Sequence, residues 1–298
     1  MLDLSHFHAL LSRHGDHLER VVPGFQIGDV ALSFDRGPHL VGVINLSTDS
    51  WYKESVCRTA DEAIARARKL SLEGARIIDI GAESTLPNAR RLTIDEHLEL
   101  LLPVVRPLAE EGVLVSVESY HPEVLLKAAE AGARIFNLTG TKEIDDVLEV
   151  AERFEAAVIL CYVQGETVRD VGDFDLEEDM VPVLLESFGP LVARAEKRRV
   201  HKVFIDPGLG FYYRNLQDSA KRVTHQIDTF LNAFRLSVLG KPVFNILPHA
   251  PEAFLEDERR AAEPFFAVLA ALGRTHVIRT HEVDRVSRVL AAMGLYQR

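Results

Sequence analysis

The chain has 298 residues, 47% hydrophobic and 27% charged. This is a globular composition with ample material for a core, and it excludes a disordered chain. The 45 Asp and Glu against 34 Lys and Arg leave a formal net charge of -11, which argues against a non-specific nucleic-acid or anionic-membrane binder because like charges repel, but leaves room for one small anion held by local cations.

Residues 4–22 carry Leu4, Phe7, Leu10, Leu11, Leu18 and Val21 at helical spacing, with Gly15 weakening the middle. GFQIGDVALSF then places two short alternating segments about Gly28-Asp29, a hairpin signal. Residues 1–37 are thus expected to form a helix-and-hairpin cover. From Leu40 the pattern becomes regular. Apolar runs rich in β-branched residues fall at 40–45, 76–80, 113–117, 134–137, 157–162, 202–206, 242–246 and 276–280. Between them lie helix-period stretches at 59–73, 94–111, 122–131, 142–154, 177–199, 216–239, 260–272 and 283–293. Thr59 with Glu62 and Thr93 with Glu96 read as capping boxes, and Gly74, Gly112 and Gly132 stand where helices end. Eight strand–helix units match a TIM (β/α)8 barrel over residues 38–298; an open doubly wound sheet is the competitor, because alternation alone does not reveal closure.

The N-terminus lacks the uninterrupted apolar run of a signal peptide, and no stretch is long and apolar enough to span a bilayer. Cys57 and Cys161 lie far apart, without a flanking histidine or an evident base, and read as reduced thiols rather than nucleophiles. A cytoplasmic location is the expectation. The 12 histidines are scattered and show no recognised metal-ligand spacing.

In a barrel, chemistry gathers where strands end and βα loops begin. The strand ends here supply Asn45, Asp79, Glu118, Asn137, Asp206, Asn245, Arg279 and His281. Each alone is as readily a satisfied core group; together they favour a polar pocket for a ligand rich in amide-like donors and acceptors. A carboxylate such as Asp206 accepts two N–H donors side by side, and Asn137 both donates and accepts. Arg279 and His281 end the eighth strand, a common phosphate position in barrels. GAEST at 81–85 and DPGLGF at 206–211 are glycine-bearing strand-end turns.

These motifs in this order resemble the dihydropteroate synthase family of pterin-binding TIM barrels. The resemblance covers about residues 24–290 and rests on VGVINLSTDSW (41–51), EGARIIDIGAESTLP (73–87), VSVESY (115–120), NLTG (137–140), DPGLGF (206–211) and RTHEV (279–283). It implies a transferase joining a 6-hydroxymethyl-dihydropterin diphosphate to p-aminobenzoate, with magnesium, in a homodimer. It implies that Asn45 meets the diphosphate and its Mg2+, that Glu118, Asn137 and Asp206 hold the pterin edge, that Arg279 and His281 bind the diphosphate, and that Thr85 and Pro87 border the aminobenzoate. For the dimer, the helix at 260–272 offers Phe265, Phe266 and Leu269, which equally suit an inward stripe.

Departures accompany the matches. After the first strand the family's Thr-Pro-Asp-Ser is Ser47-Thr48-Asp49-Ser50, and its loop arginine is Leu86. Its aspartate before Thr-Tyr is Glu118, one methylene longer. After DPGLGF stand Tyr212 and Tyr213, and at strand seven FNILPHA (244–250) replaces the family's Ser-Arg-Lys. Lys53, Arg90, Arg91, Arg214 and His249 are possible replacement cations, each ordinarily a solvated surface charge, while Trp51, Tyr212 and Tyr213 could stack on a flat heterocycle. Two further functions fit such a pocket: a pterin-binding paralogue without turnover, and a folate-dependent methyl-transfer barrel.

Overall fold

The computed structural model describes residues 1–47, 55–86, 89–170, 172–211, 213–216, 219–250, 254 and 258–296. Eight parallel strands run in the order β8-β7-β6-β5-β4-β3-β10-β9. They are β3 (His39–Asn45), β4 (Ala75–Gly81), β5 (Val115–Glu118), β6 (Ile135–Asn137), β7 (Ala157–Cys161), β8 (Val203–Asp206), β9 (Phe244–Ile246) and β10 (Val277–Thr280). A parallel bridge between Ile205 and Val243, with the Ile205 N–H donating to the Pro242 carbonyl at 3.0 Å, joins β8 to β9 and closes the ring. Closure decides for the barrel over the open sheet.

The helices between the strands are α2 (Ala60–Leu72), α3 (Ile94–Glu110), α4 (Pro122–Glu130), α5 (Ile144–Arg153), α6 (Met180–Lys197), α7 (Ser219–Asn232) and α8 (Arg259–Leu272), and α9 (Val283–Gly294) follows β10. Thr93 and Glu96 cap α3 reciprocally. At α2 the box is half made: Thr59 accepts from the Glu62 N–H, but the Glu62 carboxylate takes the N–H of Arg58. Gly74, Gly112 and Gly132 adopt left-handed backbone after their helices. The stretch 216–239 is not one helix, since α7 stops at Asn232 and a 3-10 segment covers Ala233–Leu239. On α8, Phe266 and Leu269 are the buried inward stripe, whereas Phe265 is 43% exposed.

At the N-terminus, α1 (Leu4–His14) ends at Gly15 and gives way to a 3-10 turn through Glu19, so the stretch 4–22 is not a single helix. The hairpin forms as β1 (Phe25–Ile27) and β2 (Val30–Leu32), turning at Gly28-Asp29. It closes the bottom of the barrel. Ile27 and Leu32 join one buried cluster with the inward residues Val41, Ile77, Ile135, Ile159, Phe204, Phe244 and Val277. Phe25 and Phe34 meet Phe204 edge-on at 5.1 and 6.3 Å between ring centroids.

Strand parity sorts the rest. Residues one position along, such as Ile78, Val117, Phe136, Ile205 and Ile278, belong to the larger cluster between strands and helices. Stepping two residues up from the apolar floor leads from Ile77 to Asp79, from Phe204 to Asp206 and from Val277 to Arg279. The barrel therefore carries its polar side chains as a layer above a dry plug. Phe204 is fully buried and holds plug and hairpin together; Phe204→Ala should cost about 3–5 kcal/mol in urea unfolding, with the hairpin amides losing hydrogen-exchange protection first.

Candidate active site

Asp79 sits at the centre of that layer with no exposed surface. Its Oδ1 accepts from the Ser116 hydroxyl at 2.6 Å. Its Oδ2 accepts from Asn137 Nδ2 at 3.0 Å and from Arg279 Nε at 2.7 Å. Arg279 Nη2 donates in turn to Glu118 Oε2 at 2.9 Å. Neighbouring strands supply these groups, and register brings them level: Asp79 pairs with Ser116, and Glu118 with Asn137. Asp206 completes the set from β8, its Oδ1 accepting the Gly208 N–H at 2.8 Å. That turn requires glycine: φ at Gly208 is +81°, and a Cβ there would stand 2.4 Å from the Tyr162 carbonyl oxygen.

The electrostatics follow from burial. Loss of solvent pushes the Glu118 carboxyl up, Arg279 pulls it back, and Asp79 and Asp206 push it up again, to about 7. Burial raises Asp206 to about 6 against the pull of the Gly208 N–H and Arg279. Arg279 is opposed by burial but held protonated by Asp79 and Glu118. Burial also drives both Cys57 and Cys161 above the ordinary thiol value, so neither is poised as a thiolate.

Above this layer opens a cleft of about 110 Å³. Asn45, Thr85, Leu86, Glu118, Arg279 and His281 line it, as do Arg222, Gln226 and His249. Of the residues expected at the site, Asn45, Thr85, Glu118, Arg279 and His281 meet at the cleft, whereas Asn137 and Asp206 lie buried in the layer beneath. Arg279 does not present a whole guanidinium fork to an anion, since two of its nitrogens are committed to carboxylates. His281 is anchored through Nδ1 to Glu263 Oε1 at 2.9 Å.

Asn245 does not belong to the site. It has the helix-facing parity of β9, and its Nδ2 donates to the Thr275 hydroxyl at 2.7 Å, while Ile246 faces the cleft. Among the possible replacement cations, Arg90 pairs with Glu96 and Arg214 with Asp173, with side chains 68% and 76% exposed, and Arg91 is exposed as well. His249 does line the cleft. Tyr213 is buried against Phe174, rings 4.7 Å apart, and packs rather than stacking on a ligand. Thr48, Asp49, Ser50, Trp51, Lys53, Pro87 and Tyr212 lie outside the described residues.

Two arginines were not singled out from sequence. Arg169 reaches from the loop after β7, pairs with Glu83 at 3.2 Å and donates to the Ser84 and Ala89 carbonyls, pinning the loop that follows β4. Glu83 also takes the Leu92 N–H at 2.6 Å. Arg222 is 4% exposed at the cleft and comes from α7 rather than a strand end. A signal for it exists: Arg222, Gln226 and Thr229 recur at helical spacing beside the apolar Val223, Ile227 and Phe230.

The comparisons with known proteins agree with this geometry. The family model described as pterin binding enzyme matches residues 41–281. The dihydropteroate synthase of Escherichia coli K12 is 29% identical over 257 residues, 83% of this chain and 87% of that protein. The dihydropteroate synthase of Bacillus subtilis is 29% identical over 275 residues, covering 88% and 90%. Among solved structures, Xanthomonas albilineans dihydropteroate synthase with 4-aminobenzoic acid superposes with a TM-score of 0.77 at 26% identity, over 92% of this chain and 98% of that one. The Yersinia pestis dihydropteroate synthase, at 23% identity and a TM-score of 0.80, shares the fold over 92% and 98%.

Two outcomes test the polar layer. Asp79→Ala strips Arg279 of its most buried partner and should cost about 3–5 kcal/mol in urea unfolding. Glu118 titrates at about 7 when folded against an ordinary 4.5, so the folded chain holds that proton longer and loses stability as pH rises through this window. Glu118→Gln removes the loss, and its unfolding free energy relative to the parent should climb between those pH values; a flat or falling difference contradicts the assignment.

Proposed function

The chain belongs to the pterin-binding enzyme family, and on that premise we propose that it is a transferase of the dihydropteroate synthase type in folate-type cofactor biosynthesis. The reaction joins a 6-hydroxymethyl-dihydropterin diphosphate to p-aminobenzoate or a related arylamine. The observation that carries this reading is the layer of Asp79, Glu118, Asn137, Asp206 and Arg279 across the C-terminal end of the barrel, directly beneath a cleft.

Glu118 and Asp206 accept the ring N–H and amino donors of the pterin. Asp79 accepts from the Asn137 amide nitrogen, which leaves the amide oxygen as a further acceptor in the layer. Arg279, locked between two carboxylates, acts on the diphosphate as a fixed positive charge, and His281 lines the same cleft. Thr85 borders the arylamine. The amine nitrogen forms a bond to the exocyclic methylene carbon as the carbon–oxygen bond to diphosphate breaks. The nitrogen then releases its proton to solvent. Positioning and charge stabilisation of the leaving diphosphate carry the rate.

Magnesium fits this site in one way. Asn45 Nδ2 donates to Ser55 Oγ at 2.6 Å, which orients its carbonyl oxygen as a single neutral ligand. Magnesium keeps an octahedral oxygen shell and is commonly held by few protein groups plus substrate phosphates, so the ion would come with the diphosphate, and when bound it would neutralise charge on the leaving group. A second reading, pterin binding without turnover, draws on the commitment of Arg279 to two carboxylates and on Leu86 in place of the loop arginine.

Diphosphate release from the pterin substrate with p-aminobenzoate, together with calorimetry of the pterin alone, separates the readings. The transferase forms product, and Asp206→Asn lowers kcat/KM by about 10- to 100-fold. Pterin binding without product supports the second reading; absence of pterin binding refutes both.

A further inference from the structure

Among the described residues outside the polar layer, Glu263 on α8 is the most enclosed acid, with no exposed surface. Thr280, which faces the helices, and the first residues after β10 reach it: its Oε2 accepts the Thr280 hydroxyl, the His281 N–H at 2.9 Å and the Glu282 N–H at 3.2 Å. Its Oε1 meets two imidazoles instead. His281 Nδ1 stands 2.9 Å from it and His249 Nε2 stands 2.8 Å from it. The imidazole rings lie 5.0 Å apart, and the three ligating atoms fall within 4.8 Å of one another. Both histidines line the cleft; Glu263 lies behind them.

We propose that His249, Glu263 and His281 form a site for a divalent ion of the zinc class, with an open coordination position facing the cleft. Two imidazoles and one carboxylate are the donor set of three-ligand zinc sites that keep a fourth position for an exogenous oxygen. The outer shell is already built, since three donors saturate Oε2 and leave Oε1 directed at both rings. The spacing suits the ion after a small expansion: tetrahedral bonds of about 2.0–2.1 Å put neighbouring ligand atoms about 3.3 Å apart, about half an ångström more than the contacts here. Nitrogen ligands disfavour magnesium, which prefers oxygen, so this site and Asn45 select different ions.

His249 lies in the segment that replaces the family's strand-seven Ser-Arg-Lys. An ion on it would return positive charge to the cleft beside Arg279, with its open position offered to an oxyanion. Use of that position by diphosphate rests on the transferase reading; binding of the ion does not.

The test uses the full chain stripped with a chelator and titrated with ZnCl2 alone by calorimetry, and with CoCl2 while the visible ligand-field bands are recorded. One ion per chain is expected, with the intense bands of a four- or five-coordinate cobalt site. His249→Ala and His281→Ala should each weaken binding by about 100-fold or more, with an unchanged circular dichroism spectrum showing that each variant folds. Saturating magnesium should not displace the ion. No stoichiometric binding overturns the proposal and makes the trio a hydrogen-bonded anchor for His281. Binding that survives both substitutions overturns it too, since exposed histidines would then hold the zinc. Neither result depends on whether the chain turns over a pterin.

Discussion

The site is organised by one buried cation. Arg279 has lost nearly all of its water, and a guanidinium in that position persists only against fixed negative charge. Asp79 supplies it through Nε and Glu118 through Nη2. Asp79 then has acceptor capacity left, which Ser116 and Asn137 fill, so one ion pair fixes side chains from four strands. Glu118 and Asp206 remain in the field of more carboxyls than cations, and both stay protonated well above the ordinary carboxyl range. A carboxyl that changes state near neutrality can donate or accept, which suits a heterocycle whose edge alternates N–H and C=O.

Parity is what places these residues, and it explains what could be read from sequence. Alternating strands and helices give eight strand–helix units but not their closure, and the strand-end residues Asn45, Glu118, Asn137, Asp206 and Arg279 are visible because each ends a β-rich run. Asn245 met the same criterion and failed, since it sits one step out of phase with Phe244 and Ile246 and so faces the helices. Counting in twos from the apolar floor would have excluded it. Glu263 and Arg222 were hidden for a different reason. They lie near the starts of helices, at the fourth residue of α7 and the fifth of α8, where a charged residue is ordinarily solvated, and the packing of those helices on the barrel turns their side chains inward.

The departures from the family pattern resolve into a movement of charge rather than a simple loss. Leu86 removes an arginine from the loop after β4, yet that loop is held by Arg169 through Glu83 and two carbonyls. Arg90 and Arg214 are instead paired with Glu96 and Asp173 at the surface, their own side chains exposed. Among the described residues, the arginines that reach the cleft are Arg279 on a strand and Arg222 on a helix.

This shift is possible because the barrel separates its functions by height. The apolar floor of Val41, Ile77, Phe204, Phe244 and Val277, with the hairpin residues Ile27 and Leu32, forms one buried cluster below the polar layer. Residues at the rim can then change identity while the parity that aims them stays constant. The residues at 244–250 show this. Phe244 still fills the floor and Ile246 the cleft wall, but the chain beyond carries His249 rather than a lysine. A lysine would place a strongly hydrated point charge there, whereas the His249 imidazole stands 2.8 Å from Glu263 Oε1. Among the described residues, an anionic substrate at the cleft therefore meets the positive charge of Arg279 and Arg222, together with that of whatever cation accompanies it.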